Sequence, residues 1–209
     1  MVFAEQLRSC RVLPVITALD VDTTVLLAQA LRRGGMRAVE ITLRTPAGLQ
    51  SLAAVKAAVP DMLVAAGTVT TPLLLTQAAA AGADFCVSPG VTAALLDAAG
   101  DQGVRLLPGV ATASDVMLGM DHGLELFKLF PAVAVGGVSL LKSFAGPFPS
   151  VRFCPTGGLG AGNFREFLAL PNVICCGGSW MAGADLVQNG RWEEIEELAR
   201  AAMVDTLSN

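Results

Sequence analysis

The chain has no tyrosine, a single histidine and few charges, with 15% of its 209 residues Asp, Glu, Lys or Arg. Each shortage excludes something. The five cysteines include no CxxC pair, and His122 stands at no ligand spacing from them, so no metal-ligand pattern is present. A net charge of -4 without a basic block argues against nucleic acid or an anionic membrane as partner. No stretch approaches the roughly 18 uninterrupted apolar residues of a membrane span. The opening residues, Met1 to Arg8, lack the basic segment and apolar block of a secretory signal and read as a short helix.

What the chain does have is aliphatic bulk, with 53% hydrophobic residues and no composition break, which predicts one domain over 1–209 with a substantial core. Cys10, Cys86, Cys154, Cys175 and Cys176 read as small buried residues in a reducing compartment, hence a cytoplasmic protein.

Eight short β-type runs recur at 12–16, 38–43, 63–66, 84–87, 104–107, 125–128, 151–154 and 173–176. Helical stretches separate them at 23–33, 46–58, 72–81, 93–99, 113–120, 138–145 and 163–168, most opening on Pro, Thr or Asx. A charged helix over 191–204 closes the chain. Strict alternation implies parallel strands, which need crossover connections. An open doubly wound sheet would place GxGxxG after its first strand, where this chain has Thr17-Ala18-Leu19-Asp20. The prediction is therefore an α/β fold, a (β/α)8 TIM barrel with an extra N-terminal helix.

In such a barrel the chemistry sits where strands end. The second strand divides by period 2 into Val39, Ile41 and Leu43 on one side and Ala38, Glu40, Thr42 and Arg44 on the other. Apolar side chains pack outward against helices, so the polar set faces inward, either as a structural Glu40–Arg44 pair or as a site. Lys128, one of three lysines, lies in Leu124-Glu125-Leu126-Phe127-Lys128-Leu129-Phe130-Pro131, where only Glu125 among the others is polar. Its head either snorkels to water or stays desolvated, and a desolvated amine sheds its proton and becomes nucleophilic. If Leu126, Lys128 and Phe130 face inward, the amine enters the cavity that holds Glu40 and Arg44.

Small residues end the third strand at Gly67-Thr68 and the fourth at Ser88-Pro89-Gly90, leaving room for a ligand. The seventh runs into Thr156-Gly157-Gly158 and the eighth into Gly177-Gly178-Ser179. Phosphate-binding barrels present backbone N–H groups at these two strand ends. His122 precedes the sixth strand, at the opposite barrel end, and is expected to be structural.

Taken in order, Val39-Glu40-Ile41-Thr42-Leu43-Arg44-Thr45, Gly67-Thr68-Val69, Ser88-Pro89-Gly90, Phe127-Lys128-Leu129-Phe130-Pro131-Ala132, Gly146-Pro147-Phe148 and Val151-Arg152-Phe153-Cys154-Pro155-Thr156-Gly157-Gly158 span nearly the whole chain. They resemble the 2-keto-3-deoxy-6-phosphogluconate (KDPG) aldolase family, which includes 4-hydroxy-2-oxoglutarate aldolases.

The resemblance implies a class I aldolase that cleaves KDPG to pyruvate and glyceraldehyde 3-phosphate in the Entner-Doudoroff pathway. It implies Lys128 as the Schiff-base lysine and Glu40 as the general acid/base. Arg44 and Thr68 would hold the carboxylate of the pyruvyl half, with Pro89 and Phe130 lining it. Thr156, Gly157, Gly158, Gly178 and Ser179 would form the pocket for the distal phosphate. It further implies a homotrimer. A protonated imine is its own electron sink, so no metal or cofactor is expected. The same-class alternatives act on 4-hydroxy-2-oxoglutarate or the phosphogalactonate epimer; a non-catalytic phosphosugar-binding barrel is the remaining one. One departure is Val133, where the family often carries an acidic or small polar residue.

Overall fold

The computed structural model describes residues 2–204 and, of these, every side chain but that of Val2. Helix α1 (Val2–Cys10) leads into β1 (Val12–Thr17), α2 (Val21–Arg33), β2 (Ala38–Thr42), α3 (Gly48–Ala58), β3 (Leu63–Gly67), α4 (Pro72–Ala80), β4 (Phe85–Val87) and α5 (Ala93–Gln102). Then come β5 (Leu106–Leu107), β6 (Gly109–Val110), α6 (Ala113–Asp121), β7 (Leu126–Leu129), α7 (Gly137–Phe144) and β8 (Arg152–Pro155). The chain continues through α8 (Phe164–Leu168), β9 (Cys176–Gly178), a 3-10 turn (Trp180–Ala182), α9 (Ala184–Gln188) and α10 (Trp192–Met203).

Strand pairing is parallel throughout the described residues and falls into two sheets, β5-β4-β3-β2-β1-β9 and β6-β7-β8. The α/β class and the alternation are as expected, but the ring of eight strands is not continuously paired. Its first break is Pro108. The predicted strand over 104–107 pairs with β4 only at Leu106–Leu107, and the chain then crosses Pro108 to pair with β7 through Gly109↔Lys128. Proline has no N–H to give a ladder, although the Pro108 carbonyl still accepts from the Lys128 N–H at 2.9 Å. The second break is the last strand, which forms over Cys176–Gly178 rather than 173–176. Val173 and Gly177 each make one isolated bridge to the β8 side, Phe153↔Val173 and Thr156↔Gly177.

Four helix starts carry side-chain caps, while Asn163 makes none and α3 starts after Ala47 without one. Asp20, Thr71, Thr92 and Thr112 each accept a backbone N–H three residues on, and Thr112 with Asp115 completes a capping box. Each such cap is worth ~1 kcal/mol. They fix where the chain turns from strand end to helix, and so where the strand-end loops lie.

Period 2 sorts the core into two parts. Val39, Ile41, Phe127 and Leu129 join the layer between sheet and helices. Leu13, Ala38, Ala65, Phe85, Leu107 and Cys154 form an inner cluster, which Leu7 and Cys10 of α1 complete. Phe3 adds an edge-on contact to Phe85, with ring centroids 5.0 Å apart. Helix α1 thus covers the end at which the strands begin, and burying a side chain such as Leu7 there contributes about 1.5–3 kcal/mol.

Candidate active site

Lys128 is 5% exposed and Glu40 is 1% exposed, and the Lys128 Nζ donates to Glu40 Oε1 at 3.0 Å and to Oε2 at 3.2 Å. The lysine does not snorkel to water. Both side chains point inward, as the period-2 reading of β2 and β7 requires. The Phe130 ring centroid lies 5.3 Å from the Lys128 Nζ, so an aromatic face covers the ammonium from the side of the strand end. Removing one partner of such a buried pair leaves the other uncompensated.

Arg44 is not the partner of Glu40. It lies two residues beyond the end of β2, exposed, and its Nη2 donates to Thr17 Oγ1 at 3.3 Å. Thr42 donates to the Ile16 carbonyl at 3.0 Å and lies 3.4 Å from the same Thr17 hydroxyl. Thr17 therefore ties the ends of β1 and β2 together and steadies the guanidinium. The inward parity of β1, running Leu13, Val15, Thr17, is the sequence signal for it, although Thr17 carries no charge to mark it.

Thr68 follows the last residue of β3 and adopts φ +61°, a left-handed conformation unusual for a β-branched residue. Pro89 lies in a turn closed by the Ser88 hydroxyl donating to the Gly90 carbonyl at 2.7 Å. That turn packs on Gly109, where an added Cβ would sit 2.7 Å from the Gly90 N, and Gly109 is the register partner of Lys128. Thr68, Pro89 and Phe130 thus occupy the same end of the strands as Lys128, around the Glu40 contact.

The Gly-rich loops form the other side. The Gly157 and Gly158 backbones have φ +100° and +80°, so the loop takes a shape that glycine alone adopts freely. It is fastened to the loop after β7 by Ala132 N–H donating to the Thr156 carbonyl at 2.8 Å and Val133 N–H to the Gly157 carbonyl at 3.1 Å. Asn163 holds it from below, accepting from Gly160 N–H at 2.8 Å and donating to the Gly158 carbonyl at 3.1 Å. Sequence marks Asn163 only as a helix start; the clasp depends on a loop-to-loop return that no period reveals. Val133 is 48% exposed, and a Cβ on Gly158 would meet its Cβ at 2.7 Å, so the residue that departs from the family pattern packs on the Gly157-Gly158 loop. Buried Thr156 lies beside Gly177, and exposed Ser179 precedes the 3-10 turn, where Ala182 N–H donates to its carbonyl at 3.0 Å. Gly178, buried at the end of β9, completes this side.

Beneath Lys128 the inner face is apolar or thiol. Cys154 is its register partner on β8. A hydrogen bond with Cys175 and the nearby Lys128 charge pull the Cys154 thiol below its ordinary range against burial, while that same bond and burial push Cys175 up. All five cysteines are free and buried, and burial raises Cys10 and Cys86 to about 11.

A cleft of about 540 Å³ lies at the opposite end of the strands, lined in part by Phe3, Arg105, His122, Glu125 and Arg152, and touches none of the site residues. Its cations have structural partners. His122 caps α6, its Nδ1 2.9 Å from the Leu118 carbonyl and its Nε2 3.1 Å from Asp97, and Arg152 donates to the Pro149 and Val151 carbonyls. His122 thus sits at the C-terminus of α6, where a cation is stabilised, at the end of the strands away from Lys128. No helix of the described residues is long and apolar enough to cross a membrane, and among them no three His, Cys, Asp or Glu side chains are grouped to hold a metal.

Residues 3–198 match the family model for KDPG and KHG aldolase. A 2-dehydro-3-deoxy-phosphogluconate aldolase from Pseudoalteromonas atlantica is 49% identical over 92% of this chain and 89% of its own. A KDPG aldolase from Legionella pneumophila, solved with pyruvate captured as a covalent carbinolamine intermediate, superposes with a TM-score of 0.93 at 43% identity, covering 95% of this chain and 97% of that one. A KDPG aldolase from Zymomonas mobilis, solved with 3-phosphoglycerate, gives 0.90 at 43% identity over 98% and 96%. A match over nearly the whole chain, with relatives far above the level of chance fold likeness, settles the family: the chain belongs to the KDPG and KHG aldolases, which are carbon–carbon lyases.

Proposed function

We propose that this chain is a Schiff-base aldolase cleaving KDPG to pyruvate and glyceraldehyde 3-phosphate, the Entner-Doudoroff reaction. The observation that carries the reading is the buried Lys128 amine held by both Glu40 oxygens at the strand ends. What the named activities of the relatives and the captured pyruvate of the Legionella enzyme add is the chemistry such an amine performs.

In this reading Lys128 transfers its proton to Glu40 and attacks the C2 ketone of the substrate. Glu40 returns the proton to the carbinolamine oxygen, water leaves, and a protonated imine remains. Glu40, again a carboxylate, takes the proton of the C4 hydroxyl. The C3–C4 electron pair flows into the iminium, the aldehyde departs, and an enamine stays on Lys128. Reprotonation at C3 and hydrolysis release pyruvate. Arg44 and Thr68 hold the carboxylate, Arg44 because a planar fork matches both oxygens. Pro89 and Phe130 wall the pyruvyl half. Thr156, Gly157, Gly158, Gly178 and Ser179 receive the phosphate, by backbone N–H and hydroxyl groups rather than a cation.

The fold in this reading is one domain over 1–209, an eight-stranded closed barrel in which residues 106–110 act as a single strand bent at Pro108. The single bridges between β8 and the last strand support that closure. The chain works in the cytoplasm as a homotrimer, without nucleic acid or membrane as partner. Its five free buried thiols suit a reducing compartment, and the exposed Leu26, Leu73 and Met117 suit association. Because the family also includes KHG aldolases, 4-hydroxy-2-oxoglutarate is the second substrate to compare.

Borohydride reduction in the presence of pyruvate tests the reading. The expected result is an adduct mapping to Lys128; an unmodified Lys128 after that treatment refutes the Schiff-base mechanism.

A further inference from the structure

Gly67 ends β3 in the register Thr42↔Gly67, with its carbonyl accepting from the Leu43 N–H at 2.8 Å. A glycine inside a strand weakens it and calls for a reason. Conformational freedom is not the reason, because Gly67 is not among the glycines with positive φ. Space is. A Cβ placed on Gly67 would lie 2.7 Å from Glu40 Cγ, 2.9 Å from Cδ, and closer still to Oε1. Real Cβ atoms do not approach so closely, so one of the two groups would have to move.

The strands cannot easily give way. All five residues of β2 are buried, and β3 is paired on both sides, with β2 and with β4. The carboxylate would therefore be the group to move. Its Oε1, the atom nearest the added Cβ, is also the atom 3.0 Å from the Lys128 Nζ. Glu40 crosses from its own strand over the bare Cα of the neighbouring one to reach an amine on β7.

We propose that Gly67 is a positioning residue whose missing side chain forms the seat that holds the Glu40 carboxylate against Lys128. The inference rests on the aldolase reading above for its catalytic consequence, but not for the contact itself. A larger residue at 67 swings Glu40 off the amine and impairs proton transfer without touching the nucleophile or the phosphate loop.

The test is a cycle of Gly67→Ala, Glu40→Ala and the double variant, assayed for kcat, KM, borohydride trapping of pyruvate and thermal melting. Gly67→Ala is expected to lower kcat by about 100-fold, the scale of one general acid/base group, with KM within about 3-fold and Lys128 still trapped. In the Glu40→Ala background the same change has room, and should lower kcat less than about 2-fold further and leave the melting temperature unchanged. A Gly67→Ala enzyme with wild-type kcat overturns the proposal. So does a Gly67→Ala effect of equal size in both backgrounds, which would mark a general folding defect. If Gly67→Ala alone does not accumulate folded, the double variant is compared with Glu40→Ala: melting at the temperature of Glu40→Ala supports the seat, and failure to fold where Glu40→Ala folds refutes it. Should wild-type Lys128 resist trapping, the aldolase reading falls while the melting half of the cycle still tests the contact.

Discussion

The two ends of the same inward-facing strands differ in kind. Where the strands begin, Leu13, Ala38, Leu63, Phe85 and Leu126 meet α1 in an apolar plug. Two to four residues along, the inward positions become Thr17, Glu40, Thr42, Gly67 and Lys128. A period-2 pattern thus carries stability and chemistry on one face, separated only by height along the strand. A site residue is held by its apolar neighbours below, and can be changed without undoing them.

Changes at the upper end should break catalysis first. Lys128→Ala is expected to lower kcat by more than about 10⁴-fold, since among the described residues no other amine bonds to Glu40; a steady-state assay with retained melting of at least a partly stable fold checks this. At the lower end the reverse holds. Leu7→Ala should cost about 2–5 kcal/mol, or roughly 5–15 °C in melting temperature, while kcat of the folded enzyme changes by less than about 2-fold. Calorimetry combined with kinetics below the transition measures both, and a large loss of kcat would erase the division between the ends.

Thr68 sharpens the comparison, because it is a proposed carboxylate-binding residue that carries backbone strain. Thr68→Gly relieves about 1–2 kcal/mol of left-handed cost but adds about 0.5–1 kcal/mol of unfolded-chain entropy. The melting temperature should therefore shift by only a few degrees upward or not at all. KM should nevertheless rise by about 10-fold with the hydroxyl gone, and an unchanged KM would remove Thr68 from the carboxylate site. Smallest is His122, at the lower end, whose hydrogen bonds to the Leu118 carbonyl and then Asp97 raise its pKa above 6.5. A raised pKa gives stability that is full below about 6.5 and is lost as pH rises through the folded value. Wild type should lose a little melting temperature across that window and His122→Gln should not, which paired melts resolve.

The sequence made the face of each strand legible, because alternation in β2 and β7 needs only neighbouring residues. Glu40 and Lys128 stand out by that alternation, and the Gly pairs by their place after the last strands. What lay hidden was whatever depends on approach between strands or loops. Examples are the seat at Gly67, the Thr17 tie to Arg44, the Asn163 clasp and the interruption at Pro108. Arg44 also stood closer to Glu40 in the period-2 reading than its hydrogen bond to Thr17 places it. Alternation continues on paper past the strand end, but the backbone does not.

Helix α1 has a consequence for the order of events. With α1 packed over the end where the strands begin, the proposed reaction opens to solvent through the other end, at the strand-end loops. In the carbon–carbon bond-forming direction the 2-oxo acid, whose partner Lys128 lies deeper, must board before the aldehyde blocks its way. In cleavage, with the phosphate at the Gly pairs as proposed above, the phosphorylated aldehyde must disembark first. A floor made of leucine, phenylalanine and cysteine thereby imposes a queue on a reaction it never touches.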